Sequence, residues 1–177
     1  KLSSGLVIKK TFSLIDSKET GAPYLLDLEL VVENASTAPV KLSDWSLFLG
    51  EASPLYQKEW IQQTGFFWRK GGGINFTDVN SFKGGMFSSA KSVQTSPADQ
   101  VIEYAGVTNQ FFATVLRPKE TVATSMWAKS SQITLPGDKT PMSSVNAGLH
   151  FPAVDLKPGD PPKSIGYRIF IGPKHNP

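Results

Sequence analysis

The sequence predicts one mostly antiparallel β domain, a sandwich or a barrel, and three observations lead to that prediction. Short runs rich in β-branched and aromatic residues recur along the chain, as half-buried strands require. Turn residues separate nearly all of these runs, and 15 Gly and 13 Pro are many for 177 residues. With 40% apolar and 11% aromatic residues, a chain of this size can bury a single core, so one domain over 1–177 is expected.

The first two runs are expected to pair as an antiparallel hairpin. Between Tyr24 and Glu33 the apolar residues fall on every second position, which is the period of a half-buried strand. These apolar residues are Leu26, Leu28, Leu30 and Val32. The earlier run from Leu6 to Ile15 also has the composition of a strand, and the polar segment 16–23 is typical of a hairpin loop.

Two carboxylates, Asp27 and Glu29, lie two residues apart on the second of these strands and therefore share a face. An acid and base pair could use that geometry. Because the opposite face is fully aliphatic, we interpret this face as the solvated outer side of the sheet.

Further strands are expected along the rest of the chain. Val40–Leu42 and Trp45–Leu49 would continue a meander, and the segment 51–73 is expected to be a long excursion with one short helix near Leu55 to Gln63. The later strand-like pieces are Tyr104–Ala105, Phe111–Leu116, Thr121–Lys129, Ser144–Leu156 and Ser164–Ile171. Two Pro-Gly-Asp triplets, at 136–138 and 158–160, predict tight turns, because Pro presets one turn dihedral and Gly accepts a positive φ.

The residue types that support catalysis are sparse. There is no cysteine, and the two histidines, His150 and His175, cannot form a paired-histidine metal motif. No Gly-x-Ser-x-Gly nucleophile elbow occurs, and the Gly71-Gly72-Gly73 run lacks the Lys and Ser or Thr of a phosphate loop. The sequence therefore predicts no catalytic residue, no metal site and no cofactor.

Aromatic and basic residues alternate closely at Phe66-Phe67-Trp68-Arg69-Lys70. Such a segment could stack on nucleic acid or contact a membrane edge. The net charge of +3 is not concentrated in any basic stripe, so nucleic-acid binding is not expected. We interpret the segment as a partly buried loop cluster and leave a contact role open.

Two segments resemble a known family. The segment 103–118 places an aromatic-x-Gly motif, Tyr104 and Gly106, before the pair Phe111-Phe112 and then Pro118. The second segment closes on Gly172-Pro173-Lys174. In this order they resemble the large periplasmic domain of bacterial YidC-type membrane-protein insertases. Tyr104 stands where the family usually carries Trp, and the stretch 51–73 aligns with no part of the family pattern.

The resemblance implies a large twisted antiparallel β-sandwich, the supersandwich that is also found in galactose-mutarotase-like proteins. It implies a periplasmic domain between the first two transmembrane helices of a multi-pass inner-membrane protein. This agrees with a sequence that does not begin with Met and contains no membrane-spanning apolar stretch, and that we interpret as a piece of a longer protein.

The same resemblance implies contact and positioning rather than catalysis. The implied partners are Sec translocon components of the SecDF type and nascent membrane proteins. The residues implied to lie near the membrane or a partner are Tyr167, Phe170, Gly172, Pro173 and Lys174. A Gly-Pro pair suits this position, because Pro stops ladder pairing and fixes the direction in which the chain leaves the sheet.

Two alternatives remain. A carbohydrate-binding or mutarotase-like sandwich would present aromatic residues such as Trp60, Trp68 or Trp127 on a concave sheet face. A mutarotase-like enzyme would also need a well-placed acid and base, which two scattered histidines supply poorly. The second alternative is a secreted adhesin or structural sandwich, and only the general strand pattern supports it.

Overall fold

The computed structural model describes residues 4–16, 18–20, 22–84, 89–91, 93–96 and 101–174. In these ranges thirteen strands form, and the helical segments are three short 3-10 turns, Ala22–Tyr24, Ile61–Gln63 and Val79–Lys83. The strands are β1 (Leu6–Leu14), β2 (Leu25–Asn34), β3 (Val40–Leu42), β4 (Ser46–Ala52), β5 (Gly65–Lys70), β6 (Gly73–Asp78), β7 (Val93–Thr95), β8 (Tyr104–Thr108), β9 (Phe112–Pro118), β10 (Ser125–Ile133), β11 (Met142–His150), β12 (Val154–Leu156) and β13 (Lys163–Pro173). The predicted all-β class is confirmed.

The large sheet contains seven antiparallel strands in the order β1-β2-β13-β9-β8-β5-β6. One of its interior strands is β13, which is the longest strand and pairs with β2 on one side and β9 on the other. Along β13 the buried residues alternate, with Ile165, Tyr167 and Ile169 facing the core. The last strand of the described chain is therefore held from both sides.

A four-stranded sheet, β4-β11-β10-β7, packs against the large one, and β12 pairs with β3 in a separate two-stranded ribbon. The core between the sheets is apolar, because alternate residues of both sheets point inward. Its most deeply buried side chains include Val107, Met126, Val145, Leu149, Ile165 and Tyr167. This arrangement is the predicted β-sandwich.

The first predicted hairpin is confirmed. Strands β1 and β2 pair antiparallel from Leu6 with Asn34 to Leu14 with Leu26. Leu28 and Leu30 are buried, as the alternation predicted. Both Pro-Gly-Asp turns also form, with Gly137 and Gly159 at positive φ.

Three predictions about the connections were wrong. The meander does not continue, because β3 pairs with β12 and β4 pairs with β11 rather than with each other. The predicted helix near Leu55 to Gln63 is only the 3-10 turn at Ile61–Gln63. The predicted strand from Ser144 to Leu156 is two strands that join different sheets, since β11 ends at His150 and β12 begins at Val154.

The largest correction concerns the segment 66–70, which we had interpreted as a loop cluster. It is strand β5, and it lies inside the large sheet between β8 and β6. Phe66 and Trp68 stack on the core side, while Phe67 faces outward. The hairpin to β6 turns at Gly71 and Gly72, both at positive φ, which two-residue turns of this kind require.

Candidate interaction surface

The two segments that carry the family resemblance lie side by side in the structure. Strands β9 and β13 pair antiparallel, so Pro173 stands opposite Phe112 and Gly172 opposite Ala113. The backbone N–H of Lys174 donates to the carbonyl oxygen of Phe111 at 2.7 Å. Motifs about 60 residues apart in the sequence thus form one end of the large sheet, which we call the exit end.

Tyr167 lies in the core rather than on a surface. Its ring is fully buried and meets Phe151 edge-on, with the ring centroids 5.3 Å apart. Its hydroxyl has no hydrogen-bond partner among the described residues, and burial raises the pKa of that hydroxyl. Tyr167 therefore packs on the core side of β13, where a partner could not contact its side chain.

Phe170 and Gly172 lie on the outer face of the same strand and share one neighbour, Tyr24. The Phe170 and Tyr24 rings meet edge-on at 6.1 Å between centroids. The Tyr24 ring covers Gly172 so closely that its Cγ lies 2.7 Å from the place of a β-carbon on residue 172. The end of β13 is thus clamped against the 3-10 turn that precedes β2.

The other motif residues have structural roles on β8 and β9. Gly106 lies under the ring of Phe67, whose Cζ would stand 2.7 Å from a β-carbon there. Tyr104 faces outward, with the guanidinium carbon of Arg69 5.9 Å from its ring centroid. Pro118 ends β9 opposite Tyr167. The glycine of the aromatic-x-Gly motif is explained by this packing of the Phe67 ring over the backbone of the neighbouring strand.

The sequence analysis missed a buried carboxylate at the exit end, Glu59. One of its oxygens accepts the backbone N–H of Leu55 at 2.6 Å, and the other accepts that of Gln110 at 3.0 Å. The Glu59 carboxylate also opposes the effect of burial on Lys174, where burial lowers the pKa of the ammonium group. Glu59 therefore ties the loop 53–60 to the loop 109–111.

Asn109 completes this link. Its side-chain nitrogen donates to the carbonyl oxygen of Ser53 at 2.9 Å. Its side-chain oxygen accepts the backbone N–H groups of Phe111 and Phe112 at 2.9 and 2.8 Å. Five exposed apolar side chains are held by this network, and we call them the aromatic tip: Leu55, Tyr56, Trp60, Phe111 and Phe112. No local signal in the sequence brings these two loops together.

Asp27 and Glu29 face outward, as predicted, but they do not form an acid and base pair. Asp27 accepts from Arg168 Nε at 3.0 Å and from Lys119 Nζ at 2.8 Å, while Glu29 accepts the hydroxyl of Ser164. The hydrogen bond from Arg168 is the main reason that the pKa of Asp27 is lowered, and Lys119 adds to it. This arrangement ties β2 to β13 and to the end of β9.

The three tryptophans of the sugar-binding alternative lie on different surfaces. Trp68 packs against the core from the inner face of the large sheet. Trp127 covers Gly148 on the small sheet and stacks on Phe48, with 6.4 Å between the ring centroids. Trp60 is in the exposed loop at the exit end. The structure therefore does not assemble them into one aromatic platform.

The part of the chain that the structure describes was searched for residues that could hold a metal ion. Within the described ranges, no group of three or more His, Asp or Glu side chains could hold a metal ion. His150 lies in β11 opposite Ser125, and His175 lies outside the described residues.

A cleft of about 410 Å³ lies beside β8 and β9. Its lining includes side chains of both charges, among them Arg69, Glu103, Arg117 and Glu120. Among the described residues, no helix combines the length and hydropathy that crossing a membrane requires.

Comparison with protein-family models gave a match to the YidC periplasmic domain over residues 1–177, which is the whole chain. Comparison with curated proteins gave no match. The family that the segments 103–118 and 166–174 resemble is therefore the family whose model matches.

Proposed function

We propose that this chain, which belongs to the YidC periplasmic domain family, is a non-catalytic docking and positioning module. In this role it helps a YidC-type insertase to insert and fold inner-membrane proteins at the periplasmic face of the membrane. Its partners are Sec translocon components of the SecDF type and nascent membrane proteins. The insertion step itself is left to other parts of the parent protein.

The observation that supports this proposal best is the way in which β13 is held at the exit end. It pairs on both sides, and its last residues are paired with β9 and covered by Tyr24. A strand fixed from two sides transmits a defined orientation, because moving it would break ladder hydrogen bonds on both edges. A module that positions other parts of a membrane protein needs this rigidity.

The surface chemistry also favours contact over catalysis. Asp27 and Arg168, whose pKa values are both shifted, are engaged with each other in an ion pair that joins β2 to β13. Structural ion pairs shift pKa values in this way, so the shifts do not indicate a catalytic group.

Site-specific photo-crosslinking in the full-length parent protein tests the partner proposal. A photoreactive residue at Lys174 or Phe111 is expected to give adducts with SecDF-type components or with a nascent chain during insertion. A matched probe at Ile74, which lies at the far end of the large sheet, is expected to give far less adduct. Equal adducts from both ends, or none from either, would contradict the proposal.

A further inference from the structure

We propose that the outer face of the small sheet binds a neutral glycan of β-1,4-linked sugars in the gluco configuration, which rests on the rings of Trp127 and Phe48. We call these two rings the aromatic shelf. The shelf lies on a different sheet from β9 and β13. The proposal therefore goes beyond the proposed function and does not depend on it.

The aromatic shelf lies on the backbone of the small sheet. Trp127 on β10 and Phe48 on β4 both stand opposite Gly148, on the strand between them. The indole ring covers Gly148 so closely that a β-carbon at that position would overlap it. The two rings are inclined by 21° with 6.4 Å between their centroids, so they are offset rather than face to face. Phe48 is 57% exposed, and a ligand can reach it.

A polar row crosses the sheet directly beside the shelf. Asn146 on β11 stands opposite Lys129 on one side and opposite Glu51 on the other. These positions are two residues from Gly148 along β11 and from Trp127 along β10, and therefore share the face of the shelf. Ligand atoms beside the aromatic rings would meet an ammonium, an amide and a carboxylate.

The carboxylate and the amide of this row are held in place before a ligand arrives. Glu51 Oε1 accepts the hydroxyl of Ser144 at 2.6 Å and that of Ser131 at 3.0 Å. Ser131 Oγ also accepts the side-chain N–H of Asn146 at 2.7 Å. Ser144 is fully buried, so the network is anchored in the sheet. Groups that are already fixed lose little conformational entropy on binding.

The polar row has hydrogen-bonding capacity that the described residues do not use. The second carboxylate oxygen of Glu51 and the side-chain oxygen of Asn146 have no donor there, and the Lys129 ammonium has no acceptor there. The two oxygens accept hydrogen bonds and the ammonium donates them. A sugar hydroxyl both donates and accepts, so a row of this mixed kind matches the edge of a sugar ring.

Charge and shape select the class of sugar. The outward positions of β4, β10 and β11 carry one carboxylate, Glu51, and one ammonium, Lys129, so their charges balance and a neutral ligand fits. The C–H groups on the face of a pyranose ring are attracted to the negative face of an aromatic ring. That contact is flat only if the hydroxyls are equatorial, as in glucose and N-acetylglucosamine. A β-1,4 linkage keeps successive rings extended, so one oligomer can cover both rings of the shelf.

Titration of the 177-residue chain with cellotetraose and with tetraacetylchitotetraose tests the proposal. Two-dimensional NMR of the ¹⁵N-labelled chain follows the indole N–H of Trp127, which is assigned by its absence in Trp127→Phe. We expect saturable shifts of this signal with a Kd of about 1 mM or lower. β-1,4-Galactotetraose, in which O4 is axial, is expected to bind at least about fivefold more weakly.

A matched pair of variants tests the place of binding. Phe48→Ala removes one ring of the shelf and is expected to weaken binding by about fivefold or more. Phe12→Ala is the control, because Phe12 lies on β1 of the large sheet and is 60% exposed. It is expected to stay within about twofold of wild type. Unchanged thermal melting of both variants shows that the fold is intact.

Each outcome decides the proposal. Saturable shifts at Trp127 that Phe48→Ala weakens and Phe12→Ala leaves unchanged support it. The absence of saturable shifts up to about 10 mM of either gluco-configured oligomer overturns it. Equal binding of the galactose oligomer, or an equal loss in Phe12→Ala, also overturns it. The shelf shares no residue with the exit end, so neither result decides the proposed function.

Discussion

The Tyr24 ring lies over the backbone of Gly172, with its Cγ 2.7 Å from the position of a β-carbon on residue 172. Real β-carbons do not approach another atom so closely, so residue 172 can be only glycine while Tyr24 keeps this place. The contact fixes the end of β13, and the glycine of the Gly-Pro-Lys motif is explained by it.

Gly172→Ala is expected to destabilise the chain by about 1–3 kcal/mol, because the new methyl group overpacks against a ring that cannot move away freely. The double variant Gly172→Ala with Tyr24→Ala should recover part of that loss, since the two sites are in contact and their effects are not additive. Urea denaturation of the four proteins measures both values. Additive losses would mean that Tyr24 does not constrain residue 172.

Glu59→Ala is expected to cost about 1–3 kcal/mol, because the backbone N–H groups of Leu55 and Gln110 lose their acceptor. Hydrogen exchange at these two amides should become faster than exchange in the strands. The matched control is Glu29→Ala, which removes an exposed carboxylate bonded to a serine hydroxyl and should change the stability by less than about 0.5 kcal/mol. Unchanged exchange in Glu59→Ala would refute the role of Glu59 in holding the tip.

Asp27 should contribute a pH dependence to stability. Its pKa is lowered in the folded chain, chiefly by Arg168, so the stabilisation is fully present above the unfolded pKa of about 4 and is lost as the pH falls through the folded value. Because the pair is partly exposed, we expect about 1 kcal/mol. Asp27→Asn should flatten the pH dependence of the free energy of unfolding below about pH 4. The matched control is Asp155→Asn, at an exposed and looser ion pair with Lys41, and it should change the free energy of unfolding at neutral pH by less than about 0.5 kcal/mol.

Tyr104→Trp should be tolerated at the first position of the aromatic-x-Gly motif. Tyr104 faces outward beside Arg69, so a larger ring finds room and the stability should change by less than about 0.5 kcal/mol. Tyr167→Trp enlarges a fully buried ring instead and should cost about 1–3 kcal/mol. Thermal melting distinguishes the two. A large loss in Tyr104→Trp would show that position 104 is packed more tightly than its exposure indicates.

Much of the fold could be predicted where one face of a strand is buried and the other is exposed to solvent. The alternation from Leu26 to Val32 is of this kind, and so are the turns that contain Gly137 and Gly159. Strand β5 could not be predicted, because Phe66 and Trp68 face the core while Phe67 covers Gly106 on the outer side. With aromatic side chains on both faces, the period of two disappears.

The candidate surface was predicted only in part. The segment Phe170 to Lys174 was identified through the family resemblance, and its neighbour Phe112 was identified in the other motif. The tip residues Tyr56 and Trp60 were missed because their position depends on Glu59. A carboxylate that accepts backbone N–H groups from two remote loops leaves no periodic or motif signal in the sequence.

The central claim is that the exit end positions the domain for membrane-protein insertion. The most direct measurement is insertion of a reporter membrane protein, followed by protease protection, in cells that depend on the full-length parent protein. Phe170→Glu and Pro173→Glu are compared with Val122→Glu, an exposed control at the far end, and each variant domain is first shown by melting to be folded. We expect reduced insertion for the first two variants and wild-type insertion for the control. Wild-type insertion by folded Phe170→Glu and Pro173→Glu variants would contradict it.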